Sequence, residues 1–273
     1  MEAPAKTRIA PTEIAPETFL IHNHQGEGTA PVVVALNTLV IRAAEPVIVD
    51  TGVAENREQY LADVFGLVEP EDVRWVFLSH DDVDHTGNVN ALMAACPNAT
   101  LVSNWFMVER MTASLEVPLT RQRWVGDGDS FDVGDRMLHA VRPPIFDSPT
   151  TRGLYDPSTG FYWSSDSFAT PMATPVADVG ELEADAWISG MHMFHQYVSP
   201  WVTMVDDAMF QATVDRVTAL RPSAMAGCHT PVIREALVPS AIAATRATPG
   251  AVVPPQPDQA VLEQIQQSLT VAA

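Results

Sequence analysis

Apolar residues fall in short blocks along the first half of the chain and in longer, helically spaced stretches along the second. Residues 31–42 are rich in Val, Leu and Ile, and 46–50 form a second apolar run closed by Thr51-Gly52, so two strands ending in turns are predicted there. Over 55–66 the positions Tyr60, Leu61, Val64 and Phe65 recur at helical spacing, and 75–79 reads as a short buried strand that stops at His80. The next helix is predicted to start near Thr86-Gly87. Further strands are predicted over 100–103, 136–141, 161–164 and 223–227, separated by turn signals such as Gly126-Asp127-Gly128-Asp129. Helical spacing returns over 178–197, 206–220 and 233–245. A Pro-rich stretch, 249–257, then leads to a short helix over 260–269. The expected organisation is one domain over 1–248 and a tail over 249–273.

With 273 residues, 47% of them hydrophobic, the chain has enough apolar material for a sizeable core. The net charge of -19 repels phosphate backbones and anionic lipid surfaces, so neither nucleic acid nor membrane is an expected partner. No run of eighteen apolar residues appears, and the first eighteen positions carry Glu and Pro where a secretory leader would carry a basic start and an apolar core. A cytoplasmic location is expected. Cys96 and Cys228 lie far apart and form no CxxC pair, and both are read as buried small hydrophobes.

The chemistry concentrates in one hexapeptide, His80-Asp81-Asp82-Val83-Asp84-His85, directly after a predicted strand. Alternate side chains of an extended segment point the same way, so His80, Asp82 and Asp84 can converge, with His85 joining through the turn. The stretch VFLSHDDVDHTGN (76–88), with VDTG at 49–52, resembles the metallo-β-lactamase superfamily, and its loop is closest to the H-x-E-x-D-H of the oxygen-reducing diiron domain of flavodiiron proteins. The resemblance extends to PNA at 97–99, SSDSF at 164–168 and GCH at 227–229. It implies an α/β fold, an αββα sandwich of two mixed sheets flanked by helices, with two metal ions. Carried over residue by residue, it puts His80 and Asp82 on the first metal and Asp84, His85 and His229 on the second, with Asp166 as the bridging carboxylate. The family's remaining first-metal His falls in the segment Phe146-Asp147-Ser148-Pro149, where this chain carries Asp147.

Two departures from that pattern, Asp82 for Glu or His and Asp147 for His, move the first site toward oxygen ligands. Such a set suits iron first, with manganese or zinc as alternatives. His192, His195 and Tyr197 lie on a predicted helix where the resemblance implies aromatics over the metals, and His195 and Tyr197, with Asp84, are read as proton-handling catalytic residues. His22, His24 and His139 are read as surface or packing residues, and Trp105, Trp163 and Phe168 as core or pocket wall. Cys228 should point away from His229, its neighbour on a strand.

The reading that follows is a dinuclear non-haem oxidoreductase acting on dioxygen, nitric oxide or a small organic substrate. The alternatives are a metal-dependent hydrolase of an ester, lactone, thioester or phosphoester, and a diiron oxygen or redox sensor. Flavodiiron proteins carry a flavodoxin domain after the metal domain, and about forty residues follow His229 here. No bound flavin is therefore expected, and electrons should come from a separate donor protein or from the substrate. The resemblance also makes a homodimer a candidate assembly.

Overall fold

The computed structural model describes residues 7–271 apart from Thr29 and Pro31, with side chains up to Gln267. Among the described residues, nine strands make up the first part of the chain: β1 (Thr12–Ala15), β2 (Thr18–Ile21), the two-residue pair β3 (His24–Gln25) and β4 (Val34–Ala35), then β5 (Thr38–Ile41), β6 (Val47–Val49), β7 (Trp75–Phe77), β8 (Thr100–Ser103) and β9 (Gln122–Trp124). Seven of them form one sheet in the order β1-β2-β5-β6-β7-β8-β9, antiparallel as far as β6 and parallel from β6 to β9. Parallel neighbours need crossovers, and these supply α1 (Arg57–Phe65), α2 (Val83–Thr86), α3 (Val89–Ala95) and α4 (Trp105–Arg110).

The second sheet runs β10 (Ser130–Asp132), β11 (Met137–Val141), β12 (Gly153–Asp156), β13 (Phe161–Trp163), β14 (Ala224–Gly227) and β15 (Thr230–Arg234), in chain order. Only β13 and β14 are parallel, and the long crossover between them holds α5 (Ala184–Val198) and α6 (Asp207–Leu220). The helices α7 (Val238–Ala247) and α8 (Gln259–Val271) follow.

Strand alternation sorts the apolar side chains into three layers. Leu39, Ile41, Val47, Val49, Phe77 and Val102 face inward and meet Phe131, Leu138, Leu154, Phe161 and Trp163 of the second sheet. Their neighbours Val40, Ile48, Val76 and Leu101 face outward against Tyr60, Val64, Leu92 and Met107 of the first helical layer. Tyr162, Met225 and Ile233 face outward from the second sheet onto Trp187, Met191, Phe210 and Val214. The result is the helix-sheet-sheet-helix sandwich expected. Both faces of the central strands are covered, which is why they read as continuous apolar runs without clear alternation.

The predicted strands at 46–50, 75–79, 100–103, 136–141, 161–164 and 223–227 are present within two residues. The predicted strand over 31–42 is two short strands, β4 and β5, with Pro31 outside the described residues. The helix predicted over 233–245 begins later, at Val238, because Ile233 belongs to β15 and packs in the core. Among the described residues no helix is long and apolar enough to cross a membrane.

Candidate metal centre

Except for Asp147, which comes from the loop between the antiparallel strands β11 and β12, the ligand-type residues leave the carboxyl ends of parallel strands. Asp50 follows β6, the His80–His85 loop follows β7, Asp166 follows β13, and His229 follows β14. The two parallel pairs belong to different sheets whose ends meet, so four loops open onto one crevice. Two glycines allow the loops to pack closely. A Cβ at Gly87 would lie 2.6 Å from the Ala54 backbone nitrogen and 2.7 Å from the Gly52 carbonyl, and one at Gly227 would lie 2.3 Å from the Ser165 carbonyl. Both contacts are too short for any larger residue.

Asp166, nearly buried, stands at the centre. Its Oδ2 is 3.6 Å from His80 Nε2, and that same nitrogen is 3.2 Å from Asp147 Oδ1 and 3.4 Å from Asp82 Oδ2. Its Oδ1 is 2.9 Å from His85 Nε2 and 3.4 Å from His229 Nε2, and Asp84 Oδ2 is 3.2 Å from that last nitrogen. The seven residues therefore form two sets sharing one carboxylate. Donor atoms of His80, Asp147 and Asp166 lie within 4.8 Å of one another, as do those of Asp84, His85, Cys228 and His229. His80 Nε2, His85 Nε2 and Asp166 Oδ1 are buried and have no hydrogen-bond partner. Although His85 Nε2 and Asp166 Oδ1 are only 2.9 Å apart, they do not align as a hydrogen bond. Buried polar atoms left unpaired are costly, and here their lone pairs converge where cations would satisfy them.

Each imidazole is held from behind through its other nitrogen. His85 Nδ1 is 2.9 Å from Asp50 Oδ2, and His229 Nδ1 is 2.8 Å from the Ala35 carbonyl. His80 Nδ1 is 3.4 Å from Asp81 Oδ1 and from Thr151 Oγ1. Asp81 is in turn gripped by Arg110, Thr150 and Ser148. This is the outer arrangement that fixes a metal-ligating histidine in one tautomer, with Nε2 free to bind.

The sequence pattern described as ODP family beta lactamase matches residues 33–230. The chain belongs to this family. The putative diflavin flavoprotein A 2 of Nostoc sp. is 28% identical over 153 residues, which cover 55% of this chain and 26% of that protein. The anaerobic nitric oxide reductase flavorubredoxin of Pectobacterium atrosepticum is 23% identical over 48% of this chain and 26% of its own length. This member of the ODP family thus spans about a quarter of each of these two relatives. Its fold superposes on the flavodiiron protein from Giardia intestinalis with a TM-score of 0.74 at 15% identity, covering 90% of this chain and 60% of that one.

The electrostatics of the ODP-family site are set by its excess of carboxylates. Burial opposes charge on His80, but Asp147, Asp81 and Asp82 outweigh it and push its pKa up to about 12. Burial likewise opposes charge on His229, and the neighbouring Cys228 and Asp166 raise it to about 10. Burial works against the Asp166 carboxylate, yet His85, His229 and His80 hold its pKa well below the usual range. The cluster is a strong cation trap that protons occupy when metal does not.

Several sequence expectations fail here. His195 is fully buried and its Nε2 accepts the Phe168 N–H at 2.9 Å, while Nδ1 lies 3.4 Å from Thr248 Oγ1. Burial lowers its pKa to about 3, so it is a neutral structural acceptor with no proton for the site. The Tyr197 hydroxyl is directed at the Pro254 and Pro255 carbonyls, and His192 Nε2 contacts the Ala244 carbonyl, so both are engaged away from the ligand cluster. What α5 presents to the site is Phe194, its ring 5.3 Å from that of His229. Cys228 does not point away. Cys228 and His229 occupy a turn between β14 and β15, where strand alternation does not apply, and the thiol comes within 3.8 Å of Asp84 Oδ2. Trp105 is 59% exposed and serves as a groove wall rather than core, and His22 and His24 are buried packing residues, both within the sequence expectations for them. Asp50 and Asp81 were missed as functional residues; the VDTG motif was the only available signal for the first.

Proposed function

We propose that this chain binds two iron ions and reduces nitric oxide or dioxygen with electrons from a separate donor. The observation that carries the reading is Asp166, whose two oxygens face two distinct sets of His and Asp donors. His80, Asp82 and Asp147 would hold one ion and Asp84, His85 and His229 the other, with Asp166 spanning both. Asp82, Asp84, Asp147 and Asp166 together balance the charge of two divalent cations, and oxygen-rich donors favour iron or manganese over zinc. The flavodiiron neighbour and the nitric oxide reductase relative support iron and a diatomic substrate. When bound, the ions supply open coordination positions and the stored electrons that reduction requires.

The chain's own residues do the rest. A groove of about 520 Å³ bordered by His24, Leu36, Val53 and Val83 ends at Asp84 and His229, which gives a small molecule its way in. Its apolar walls and Phe194 limit water around the second set. Asp84, one-fifth exposed at the groove floor, is placed to pass protons inward from solvent. The two unpaired buried cysteines fit a reducing, cytoplasmic setting. The test is anaerobic nitric oxide consumption by the iron-loaded chain with a chemical reductant, repeated with dioxygen. Turnover of either gas supports the proposal. No consumption of either, with zinc retained and hydrolysis of a lactone or phosphodiester, would replace it with the hydrolase reading.

A further inference from the structure

A second groove, of about 460 Å³, lies outside the metal centre between α4, the end of β9 and the loop carrying Asp147. Its walls are Trp105, Phe106 and Trp124, all exposed, with the Trp105 and Phe106 rings 5.2 Å apart. Arg142 and Arg152 line the same groove. Arg152 is about nine-tenths buried. Arg142 Nη2 and Arg152 Nη1 donate to one carbonyl, that of Pro149, at 3.0 and 3.1 Å, which holds the two guanidinium groups side by side. Neither Nε has a hydrogen-bond partner, and among the described residues no carboxylate pairs with either group. The neighbouring acid Asp127 accepts the Arg142 backbone N–H at 2.7 Å and pairs with Arg216 at 2.9 Å. Asp129, the acidic group on the rim, accepts the Gly126 N–H.

Arg152 Nη1 also donates to the Thr151 carbonyl at 2.7 Å, and holding two neutral carbonyls does not require two cations. In a chain of net charge -19, two adjacent guanidinium groups, one of them buried, share their acidic neighbour Asp127 with Arg216 and form no ion pair of their own, which leaves an anion's place open. Burial and the charge of Arg142 depress the pKa of Arg152 more than Asp127 raises it. We propose that this groove binds a planar aromatic phosphate monoester of mononucleotide size, its phosphate on Arg142 and Arg152 and its ring against Trp105 and Trp124. A phosphate monoester carries close to two negative charges at neutral pH, which matches the two guanidinium groups, and the arginine fork suits phosphate geometry. Exposed indole faces offer the stacking surface that a heteroaromatic ring needs.

The experiment titrates the full chain with adenosine 5′-monophosphate and phenyl phosphate, followed by tryptophan fluorescence and calorimetry. Saturable binding of one molecule per chain is expected, weakened about tenfold or more in Arg142→Gln and in Trp124→Leu. The exposed Trp124 keeps the test available should Arg142→Gln not fold. Benzoate and inorganic phosphate should each bind at least about tenfold more weakly. Asp166→Ala, which disables the metal centre, should bind the probes normally. Absence of saturation, or unchanged affinity in both groove variants, overturns the proposal. Benzoate binding as well as phenyl phosphate overturns the phosphate assignment, and loss of binding in Asp166→Ala shows that the probes sit on the metals instead.

Discussion

Asp50→Asn isolates the contribution of a group that touches no metal. The carboxylate accepts four hydrogen bonds in a fully buried setting: Ser79 N at 2.7 Å on Oδ1, and Ser79 Oγ at 2.5 Å, His85 Nδ1 at 2.9 Å and Trp163 Nε1 at 3.2 Å on Oδ2. An amide has one acceptor oxygen. Its better orientation places that oxygen among the three donors and turns NH₂ against the Ser79 N–H, leaving that N–H and the amide's own NH₂ buried and unpaired. That loss, with weaker bonds to a neutral acceptor, should cost about 2–5 kcal/mol of folding stability. Asp50 has φ +58°, and Asn tolerates this left-handed conformation as Asp does, so backbone strain does not confuse the result. At the site, His85 loses the anion that fixes its tautomer, and affinity for the ion held by Asp84, His85 and His229 should fall 10- to 100-fold, about 1.4–2.7 kcal/mol. The other ion should be held nearly as before, apart from its share of Asp166. Chelator competition for each ion, with thermal unfolding of the metal-free chain, measures both. Affinities within about twofold of the parent and an unchanged Tm would refute the reasoning.

Asp166→Ala should lower metal content from about two ions per chain to one or none, because a bridging ligand holds both; elemental analysis showing full retention would remove Asp166 from that role. Asp147→His should raise the preference for zinc over iron in mixed-metal loading, and no change would mean that Asp147 does not touch metal. His195 has a folded pKa of about 3 against 6.5 for the free side chain, so the unfolded chain binds a proton that the folded one does not. Its share of stability, several kcal/mol at the limit, is present above pH 6.5 and drains away as pH falls toward 3. His195→Gln keeps an acceptor for the Phe168 N–H but cannot titrate, so its unfolding free energy should fall less steeply between pH 6.5 and 4 than that of the parent. Equal slopes in denaturant titrations would contradict this.

The hexapeptide after β7 was legible because His80, Asp82, Asp84 and His85 fall within six positions after an apolar run. Only His80 and Asp82 share a set, since the turn into α2 carries Asp84 and His85 to the other. Asp147, Asp166 and His229 came from family resemblance, and the crevice where the two sheets' strand ends meet gathers them. Asp50 and Asp81 were not legible, since their task depends on which nitrogen of a distant or adjacent imidazole they face. The errors on α5 have one cause. Helical spacing shows that His192 and His195 share a side with their neighbours, but not which side meets the metals, and packing of α5 against α7 turned both inward and left Phe194 at the site. Cys228 lies one residue past the end of β14, in a turn where strand alternation no longer sets the direction of its side chain.

The central claim, two irons bridged by Asp166, is tested most directly by elemental analysis and the absorption spectrum of protein produced with iron and zinc both available. The account predicts about two irons per chain and a near-ultraviolet band that Asp166→Ala abolishes. Colourless protein with two zincs, or a single ion that survives Asp166→Ala, would contradict it.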